Sequence, residues 1–584
     1  MQKIRINTCF LIFVLIAGWT KTTAQVTYIS PCNGSEYNNP KTNIIIKFNQ
    51  PVSPENNINS CFKIYGKNYW PYEFETKLVD NNKTLIINSL AGFRPGDSIH
   101  IMLIHALKLE NTDFSELNLK FNVSKNLNIE PITTYPESLS NERISKSIPA
   151  NYPEIHIGVN NNPSEGKIFL YNVSSLASDN NRYLSIIDNS GVPVFWKQEN
   201  NVGLNFMLQP SGYLSYWNGN SFVLMDSTYN VFDTITCGNG YFPDFHEFIH
   251  LKNGHSFIMS WDAQEMDLTI YGGKPNANVK GLVIQELNEN KDVVFQWRSW
   301  DNFKISDAVD ISLTGNSVEY VHGNALALTA DGNILLSSRQ LNEITKISLS
   351  TGKMIWRLGG KNNAFDFIND PEMFCRQHHV QELQNGNITL FDNGTCHDPQ
   401  ITKIKEYQID TANHTAELIW SYQHPTNMYC STMGNAQRLE NGNTFINWGM
   451  IPSEDKPAIT EVTPDGTIVF ELDFKGVYQR IYRSFRFKWE NNYIMAIPSS
   501  ISKKSFNLYP NPTNDKLYIK IPEHLMNPIR LSIIDMSGRQ IFYKEILPGV
   551  TEDLIYTGNL KSGFYSVRIN NDFRTESQLF LKLP

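Results

Sequence analysis

The chain has 584 residues and a formal charge of -8, from 50 Lys and Arg against 58 Asp and Glu. Only 18% of residues are charged and 12% are aromatic, which argues against disorder and against a coiled coil. The mild acidity argues against a nucleic-acid binder held by a basic surface. The length predicts three or four domains. With 34 Gly, 28 Pro and abundant Asn, the composition is that of many short strands and turns, so an all-β protein is expected.

Residues 1–24 read as a secretory signal peptide. Lys3 and Arg5 precede the apolar run Cys9-Phe-Leu-Ile-Phe-Val-Leu-Ile-Ala17, and Thr22-Thr-Ala24 offers small residues for cleavage. The run is far short of the ~20 apolar residues that span a bilayer, and no other stretch is long and apolar enough. No Cys stands at the cleavage point, which disfavours a lipoprotein. Loss of Lys3, Arg5 and Lys21 takes the charge to -11. Six cysteines remain: Cys32, Cys61, Cys237, Cys375, Cys396 and Cys430. An even count in an exported protein permits disulfides. Cys32 with Cys61 is one local pairing, and Cys375, Cys396 and Cys430 can supply another. Spacing does not set the connectivity.

Residues 25–125 read as a small β-sandwich. Thr42-Asn-Ile-Ile-Ile-Lys-Phe-Asn49 and Lys83-Thr-Leu-Ile-Ile-Asn88 are strands, and the Arg94-Pro-Gly-Asp97 turn leads into the strand Ser98-Ile-His-Ile-Met-Leu103. This segment resembles a bacterial Ig-like domain. Residues 126–160 are polar and contain Pro, and read as a linker.

Residues 161–500 carry an internal repeat. One half is a strand, a turn and a second strand. It occurs at Phe206-Met-Leu-Gln-Pro-Ser-Gly212, Glu247-Phe-Ile-His-Leu-Lys-Asn-Gly254, Ala325-Leu-Ala-Leu-Thr-Ala-Asp-Gly332, Val380-Gln-Glu-Leu-Gln-Asn-Gly386 and Ala436-Gln-Arg-Leu-Glu-Asn-Gly442. The Asn-Gly and Asp-Gly pairs predict type I′ hairpins. The other half ends in an aromatic, as in Val-Phe-Trp196, Phe-Gln-Trp297, Met-Ile-Trp356, Leu-Ile-Trp420 and Ile-Val-Phe470. The turn glycines lie 42, 78, 54 and 56 residues apart. A four-stranded propeller blade takes about 40–50 residues, so the long gap is one blade with an insertion. With a first blade around 166–196 the count is six, and Ile481–Trp489 with Tyr493–Ala496 is expected to complete the ring.

Strands at one repeat phase converge on one end of a propeller channel. His246 and His378 each lie eight residues before their turn glycine, and His322 lies ten before its own. Arg339, seven residues past Gly332, reaches the same mouth. Three imidazoles and a guanidinium suit a tetrahedral anion. No carboxylate shares the phase, as glycoside hydrolysis requires. A metal is the competing use of three His, and Arg339 weighs against it. The plainest alternative is three unrelated core histidines. There is no Gly-x-x-x-x-Gly-Lys loop to cradle a nucleotide, nor a Ser elbow or a His-Glu-x-x-His pattern.

His322-Gly-Asn324, Ser337-Ser-Arg339, Arg376-Gln-His378 and Phe391-Asp-Asn-Gly394 resemble the arylsulfate sulfotransferase family over about residues 25–500. The resemblance implies a six-bladed β-propeller behind an N-terminal β-sandwich, exported and free of cofactors. It implies ping-pong transfer of a sulfuryl group from a phenolic sulfate ester to a phenolic acceptor through a sulfohistidine. His378 is then the nucleophile. His246, His322 and Arg339 hold the sulfate oxygens, Asn324 adds a hydrogen bond, and another histidine protonates the leaving phenolate. A nucleophilic imidazole must be neutral, and Arg339 disfavours a second cation beside it. His379 follows His378, and on a strand only one of them faces the channel; the shared phase selects His378. The family's disulfide near the nucleophile implies a bridge from Cys375 to Cys396 or Cys430. The rival readings are a surface propeller that binds such ligands without turnover, and a metal-dependent propeller lyase.

Residues 505–584 resemble the type A sorting domain of the type IX secretion system. The match rests on Leu508-Tyr-Pro-Asn-Pro512, Leu531-Ser-Ile-Ile-Asp-Met-Ser-Gly538 and Leu560-Lys-Ser-Gly-Phe-Tyr-Ser-Val567. The segment reads as a small β-sandwich that engages the secretion machinery and directs export to the surface or medium.

Overall fold

The computed structural model describes residues 25–54, 57–125, 148–174, 182–199, 202–450, 456–475, 479–489, 506–521, 528–535, 539–547, 550–571 and 574–584. The leader read at 1–24, residues 126–147 of the linker and the Tyr493–Ala496 segment expected to complete the ring lie outside them. The chain forms two compact units, Met1–Met495 and Ala496–Pro584. Strand dominates both. The α-helical structure among the described residues is one turn, Ile58–Cys61.

In the first unit, strands Val26–Ser30, Ile44–Phe48, Thr84–Ser89 and Phe74–Val79 form one sheet, and Phe62–Tyr65, Ser98–Leu103 and Asn118–Asn122 a second. Alternate residues of both meet in one core, with Ile44, Ile46, Leu85 and Ile87 against Ile99, Ile101, Leu119 and Phe121. Ile45 points the other way and joins the core of the following region, so both faces of the Ile-Ile-Ile run are buried. That outer face docks on strand Val293–Arg298. The Tyr28 hydroxyl donates to the Gln296 carbonyl (2.6 Å) and accepts from its N–H (2.8 Å). Arg298 donates to Asn38 Oδ1 (2.5 Å) and to the Glu36 carbonyl. The local bridge expected between Cys32 and Cys61 does not form: Cys32 is exposed, and Cys61 is a buried free thiol facing the Asn57 and Ala106 carbonyls.

Among the described residues six successive sheets follow. Five open with the strands Leu204–Leu208, Pro243–His250, Gly323–Leu328, His378–Glu382 and Asn435–Arg438, each continuing as an antiparallel meander. These opening strands contact one another in order along the chain. The remaining sheet runs Lys167–Ser174, Tyr183–Ile187, Pro193–Gln198. Its first strand pairs with two late segments, Gln479–Ile481 and Phe485–Phe487. Conversely, Ile155–Asn160, read from sequence as the end of the linker, is a strand that pairs with Ile468–Phe474 of the last sheet. Ile168, Leu170 and Ile187 of the first sheet share a core with Phe445, Ile459, Phe470 and Leu472 of the last. Successive sheets share cores in the same way.

The repeat turns differ from the expected type I′. Gly212, Gly254, Gly332, Gly386 and Gly442 have φ between 76° and 90°, but the residue before each has no positive φ. In each, the glycine N–H bonds the carbonyl three residues back, as Gly254 does to Leu251 (3.0 Å), and the flanking pair closes with Leu251 N–H on His255 O (2.9 Å). This is a type I turn followed by a glycine in the left-handed region, which needs one positive φ rather than two.

The second unit holds two sheets. One orders Asn507–Tyr509, Lys516–Lys520 and Glu552–Tyr556; the other orders Gln540–Ile546, Ile529–Asp535, Gly563–Asn571 and Arg574–Lys582. Leu517, Ile519 and Ile555 pack against Leu531, Ile533, Val567 and Phe580 in a single core.

Candidate active site

His246, Asn324 and His378 lie on the opening strands of three successive sheets. The pairing slips within each, between Pro243 and Phe248, between Gly323 and Ala325, and between His378 and Gln381. A bulge re-aims a side chain locally and is common beside active sites. His322 stands just ahead of Gly323–Leu328 with φ 50°, and His379 sits in its bulge with φ 49°. This accounts for His322 standing two residues out of phase with the other two histidines. Arg339 begins a single 3-10 turn after Ile334–Ser338, and its N–H bonds the His322 carbonyl (2.9 Å).

The described structure brings the four expected side chains together. The His246 and His322 rings meet edge to face at 4.9 Å. His378 feels the charges of His322, Arg339 and His246. His379 takes the opposite direction: its ring lies 5.5 Å from Phe485, and it feels Arg483 rather than Arg339.

Each imidazole has its Nδ1 engaged. His378 Nδ1 meets Asn393 Oδ1 at 2.6 Å. The Asn393 amide is oriented by its own Nδ2, which donates to the carbonyls of Cys430 (2.8 Å) and Met433 (3.1 Å). Its Oδ1 is therefore the face offered to His378, the proton of a neutral His378 resides on Nδ1, and Nε2 carries the lone pair. His246 Nδ1 meets Asp244 Oδ2 at 2.6 Å, and Trp261 Nε1 donates to the other oxygen of that carboxylate (3.0 Å). His322 Nδ1 abuts Glu319 Oε1. None of the three Nε2 atoms has a hydrogen-bond partner among the described residues.

Burial, reinforced by the charges of His322, Arg339 and His246, holds His378 well below the ordinary histidine range, although its bond to Asn393 acts the other way. Burial also lowers His322, opposed by Glu319. Burial raises the Glu319 carboxyl, but the bond to His322 and the charges of His322, His246 and Lys280 outweigh it and bring it below its usual value.

Among the described residues Arg339 makes no ion pair with a carboxylate, although the charge of Glu319 acts on it; its Nη2 reaches only the Ser431 carbonyl (3.4 Å), and its buried Nε has no hydrogen-bond partner. A guanidinium so placed demands an anion. Asn324 is fully buried, and its Nδ2 donates to the Gln377 carbonyl (2.8 Å). Gln377 in turn donates to the carbonyls of Ser338 (3.3 Å) and Glu343 (3.0 Å), which fixes the peptide ahead of His378. The same loop is tied by a disulfide from Cys375 to Cys396, with Cys430 a buried free thiol. Asp392 supports it by accepting from Cys375 N–H (2.9 Å) and pairing with Lys405 (3.2 Å).

Several residues escaped the sequence reading. No carboxylate shares the repeat phase, but Asp244 and Glu319 stand behind the imidazoles, off that phase. Asp244 lies two residues before His246 on one strand, and that spacing was a usable signal. Glu319 comes from the long insertion and has no counterpart in the repeat. Asn393 stands in a quoted motif but was given no role. Tyr482 and Arg483, from the late segment, form the floor: Arg483 pairs with Glu247 (2.8 Å) and donates to the Asn324 carbonyl (2.7 Å), and the Tyr482 ring meets His246 edge-on at 5.7 Å. The described His, Cys, Asp and Glu side chains that cluster tightly enough for a metal are Cys375, Asp392 and His397, and the Cys375 sulfur is already committed to the disulfide.

Residues 157–486, more than half of the chain, match the arylsulfotransferase (ASST) family, and the protein belongs to it. Residues 507–582 match the secretion system C-terminal sorting domain, the type IX signal that marks the chain for export to the cell surface or medium. No helix of the described residues is long and apolar enough to cross a membrane. No curated protein matches the chain. Among solved structures, a Bacteroides caccae protein of unknown function is 12% identical, covering 55% of this chain and 98% of its own, with a TM-score of 0.35. A catalytically inactive virginiamycin B lyase from Staphylococcus aureus with quinupristin is 11% identical, covering 63% and 96%, with a TM-score of 0.30. A quinonprotein alcohol dehydrogenase-like protein from Bacteroides thetaiotaomicron is 14% identical, covering 80% and 99%, with a TM-score of 0.29.

Proposed function

We propose that the protein is an exported aryl sulfotransferase that moves a sulfuryl group from a phenolic sulfate ester to a phenolic acceptor, without a nucleotide or metal cofactor. The observation that carries this reading is the pairing of His378 Nδ1 with Asn393. It leaves Nε2 as a buried, neutral nucleophile facing a guanidinium that has no carboxylate of its own.

Arg339, His246 and His322 hold the sulfate oxygens, and Asn324, with one N–H on Gln377, keeps a second for the same anion. His378 Nε2 attacks sulfur in line with the departing phenolate and forms a sulfohistidine; the acceptor phenol then reverses the path. Sulfuryl transfer, like phosphoryl transfer, gains from positioning and charge stabilisation more than from a strong base. The scaffold is a closed six-bladed propeller beginning at Ile155. The two-way pairing of its first and last sheets and their shared core support closure. The domains are an Ig-like sandwich at 25–125, the catalytic propeller to about 500, and the sorting domain from 505, behind a cleaved leader.

The test uses the purified mature protein with 4-nitrophenyl sulfate, with and without a phenol acceptor. Acceptor-dependent release of 4-nitrophenol, insensitive to a chelator and abolished by His378→Ala, is expected, with a sulfonate adduct on the peptide containing His378. Release that survives His378→Ala, or that requires a divalent metal, refutes the reading.

A further inference from the structure

The three imidazoles are not equivalent, because their Nδ1 partners differ. His378 rests on a neutral amide, whereas His246 and His322 rest on the carboxylates of Asp244 and Glu319. An amide leaves an imidazole neutral; a carboxylate lets it take and release a proton. Two of the three therefore face a carboxylate, and the third an amide that leaves the lone pair on Nε2.

The two carboxylate-backed histidines also differ in access. The His246 and Asp244 side chains are 8% and 3% exposed, whereas His322 and Glu319 are 20% and 31% exposed. Asp244 is further occupied by Trp261 and by the His246 N–H (3.2 Å). Glu319 is held differently. It ends the short strand Ser317–Glu319, which pairs in parallel with Ala277–Leu287 and sets Glu319 opposite Lys280. The insertion thus builds a strand whose last residue delivers a carboxylate to His322. The charged and titratable groups facing His322 are Glu319, His246 and Arg339, with Lys280 acting on Glu319.

We propose that Glu319 is the positioning residue that makes His322 the acid and base for the phenolic oxygen, while His246 serves the sulfate. This rests on the sulfotransferase reading and specifies which histidine handles the proton. In the first half-reaction the S–O bond to the aryl group breaks, and its electron pair leaves on the phenolic oxygen. The bond from His378 Nε2 to sulfur forms, and the proton on His322 Nε2 passes to the departing oxygen. In the second, the acceptor hydroxyl returns a proton to His322 as its oxygen bonds sulfur. The S–N pair goes back to His378. Glu319 stays ionised throughout.

The test compares two donors of unequal leaving-group quality, phenyl sulfate and 4-nitrophenyl sulfate, by the single-turnover rate of phenol release. A poor leaving group needs its proton in the transition state, and a good one needs it far less. Glu319→Gln is expected to slow phenyl sulfate by about 30-fold or more and 4-nitrophenyl sulfate by at least tenfold less than that. Glu319→Asp keeps the carboxylate and is expected to recover part of the phenyl sulfate rate. Asp244→Asn is expected to slow both donors alike. Equal losses on both donors for Glu319→Gln and Glu319→Asp overturn the role given to Glu319 while leaving the sulfotransferase reading intact. A wild-type protein inert to both donors overturns that reading and the proposal with it. If Glu319→Gln melts early, Glu319→Asp decides the matter: a loss independent of leaving group is a structural effect and refutes the proposal.

Discussion

Asn393→Ala tests the orientation of the nucleophile. The wild-type amide accepts the His378 Nδ1–H at 2.6 Å in a fully enclosed position. In the resting enzyme this is a neutral bond, contributing about 1 kcal/mol. As Nε2 bonds sulfur the ring becomes cationic, and the same bond becomes charge-assisted, about 1.5–3 kcal/mol. The difference, about 0.5–2 kcal/mol, acts on the transition state alone and amounts to about a 2- to 30-fold change in rate. Alanine also frees the imidazole to adopt the other tautomer, with its proton on Nε2. Losing the group that orients a functional histidine typically costs 10- to 100-fold. The expected effect is therefore a 10- to 100-fold slower single-turnover release of 4-nitrophenol, with the acceptor preference unchanged. The substitution also removes the Asn393 donor from the Cys430 and Met433 carbonyls, so the melting temperature falls and rates must be taken well below it. A single-turnover rate within threefold of wild type, in protein shown to be folded, refutes the argument that Asn393 sets the reactive nitrogen.

Three further outcomes follow from the same structure. His250 is buried against Ser256, and burial takes it from 6.5 down to about 4. Its folded value lies below its unfolded one, so its contribution is complete above about pH 6.5 and lost as the pH falls towards 4; His250→Gln should remove nearly one proton of uptake on unfolding at pH 5, and up to about 3 kcal/mol of acid sensitivity, in denaturant melts. Arg483→Met leaves Glu247 as an unpaired buried carboxylate and should destabilise by about 3–5 kcal/mol, whereas Arg483→Met with Glu247→Leu should recover most of that in a double-mutant cycle. Reduction of Cys375–Cys396, which are 21 residues apart, should lower stability by about 3 kcal/mol and slow the first half-reaction, since it unties the loop leading into His378; a melting temperature indifferent to reductant contradicts this.

The legible part of this protein was whatever the repeat encodes. Turn glycines and closing aromatics recur because every sheet solves the same packing problem, and they locate the sheets and put His246, His322, Arg339 and His378 on or beside neighbouring ones. What the repeat does not encode stayed hidden. Strand Ile155–Asn160 was hidden not by its pattern, since Ile155, Ile157 and Val159 alternate with His156, Gly158 and Asn160, but by its place outside the repeat, as a half-exposed edge strand of the last sheet. The turn type was misread because Asn-Gly serves a type I turn with a left-handed glycine as well as it serves type I′. Glu319 was out of reach because its position depends on an insertion whose path no local pattern fixes. The pairing of Cys375 with Cys396 rather than Cys430 depends on loop geometry that spacing leaves open.

The bulges shape how the histidines at one repeat phase are presented. A regular strand would turn His378 and His379 to opposite faces and present only one of them on each. The slip between His378 and Gln381 adds a residue, and the left-handed backbone at His379 takes it up. His378 then faces Arg339, while His379 is free to pack on Phe485 of the late strand Phe485–Phe487, which pairs with the first sheet. The slips at Pro243–Phe248 and Gly323–Ala325 act at the same level of the neighbouring sheets, so three sheets lose regular pairing together at one end. Each slip gives up ladder hydrogen bonds, and the freed groups are taken by side chains: Asn205 donates to the His246 carbonyl (3.2 Å), and Arg483 to the Asn324 carbonyl (2.7 Å). The candidate site therefore lies where the sheets depart from the repeat, and side chains such as Asn205 and Arg483 satisfy the carbonyls that those departures free.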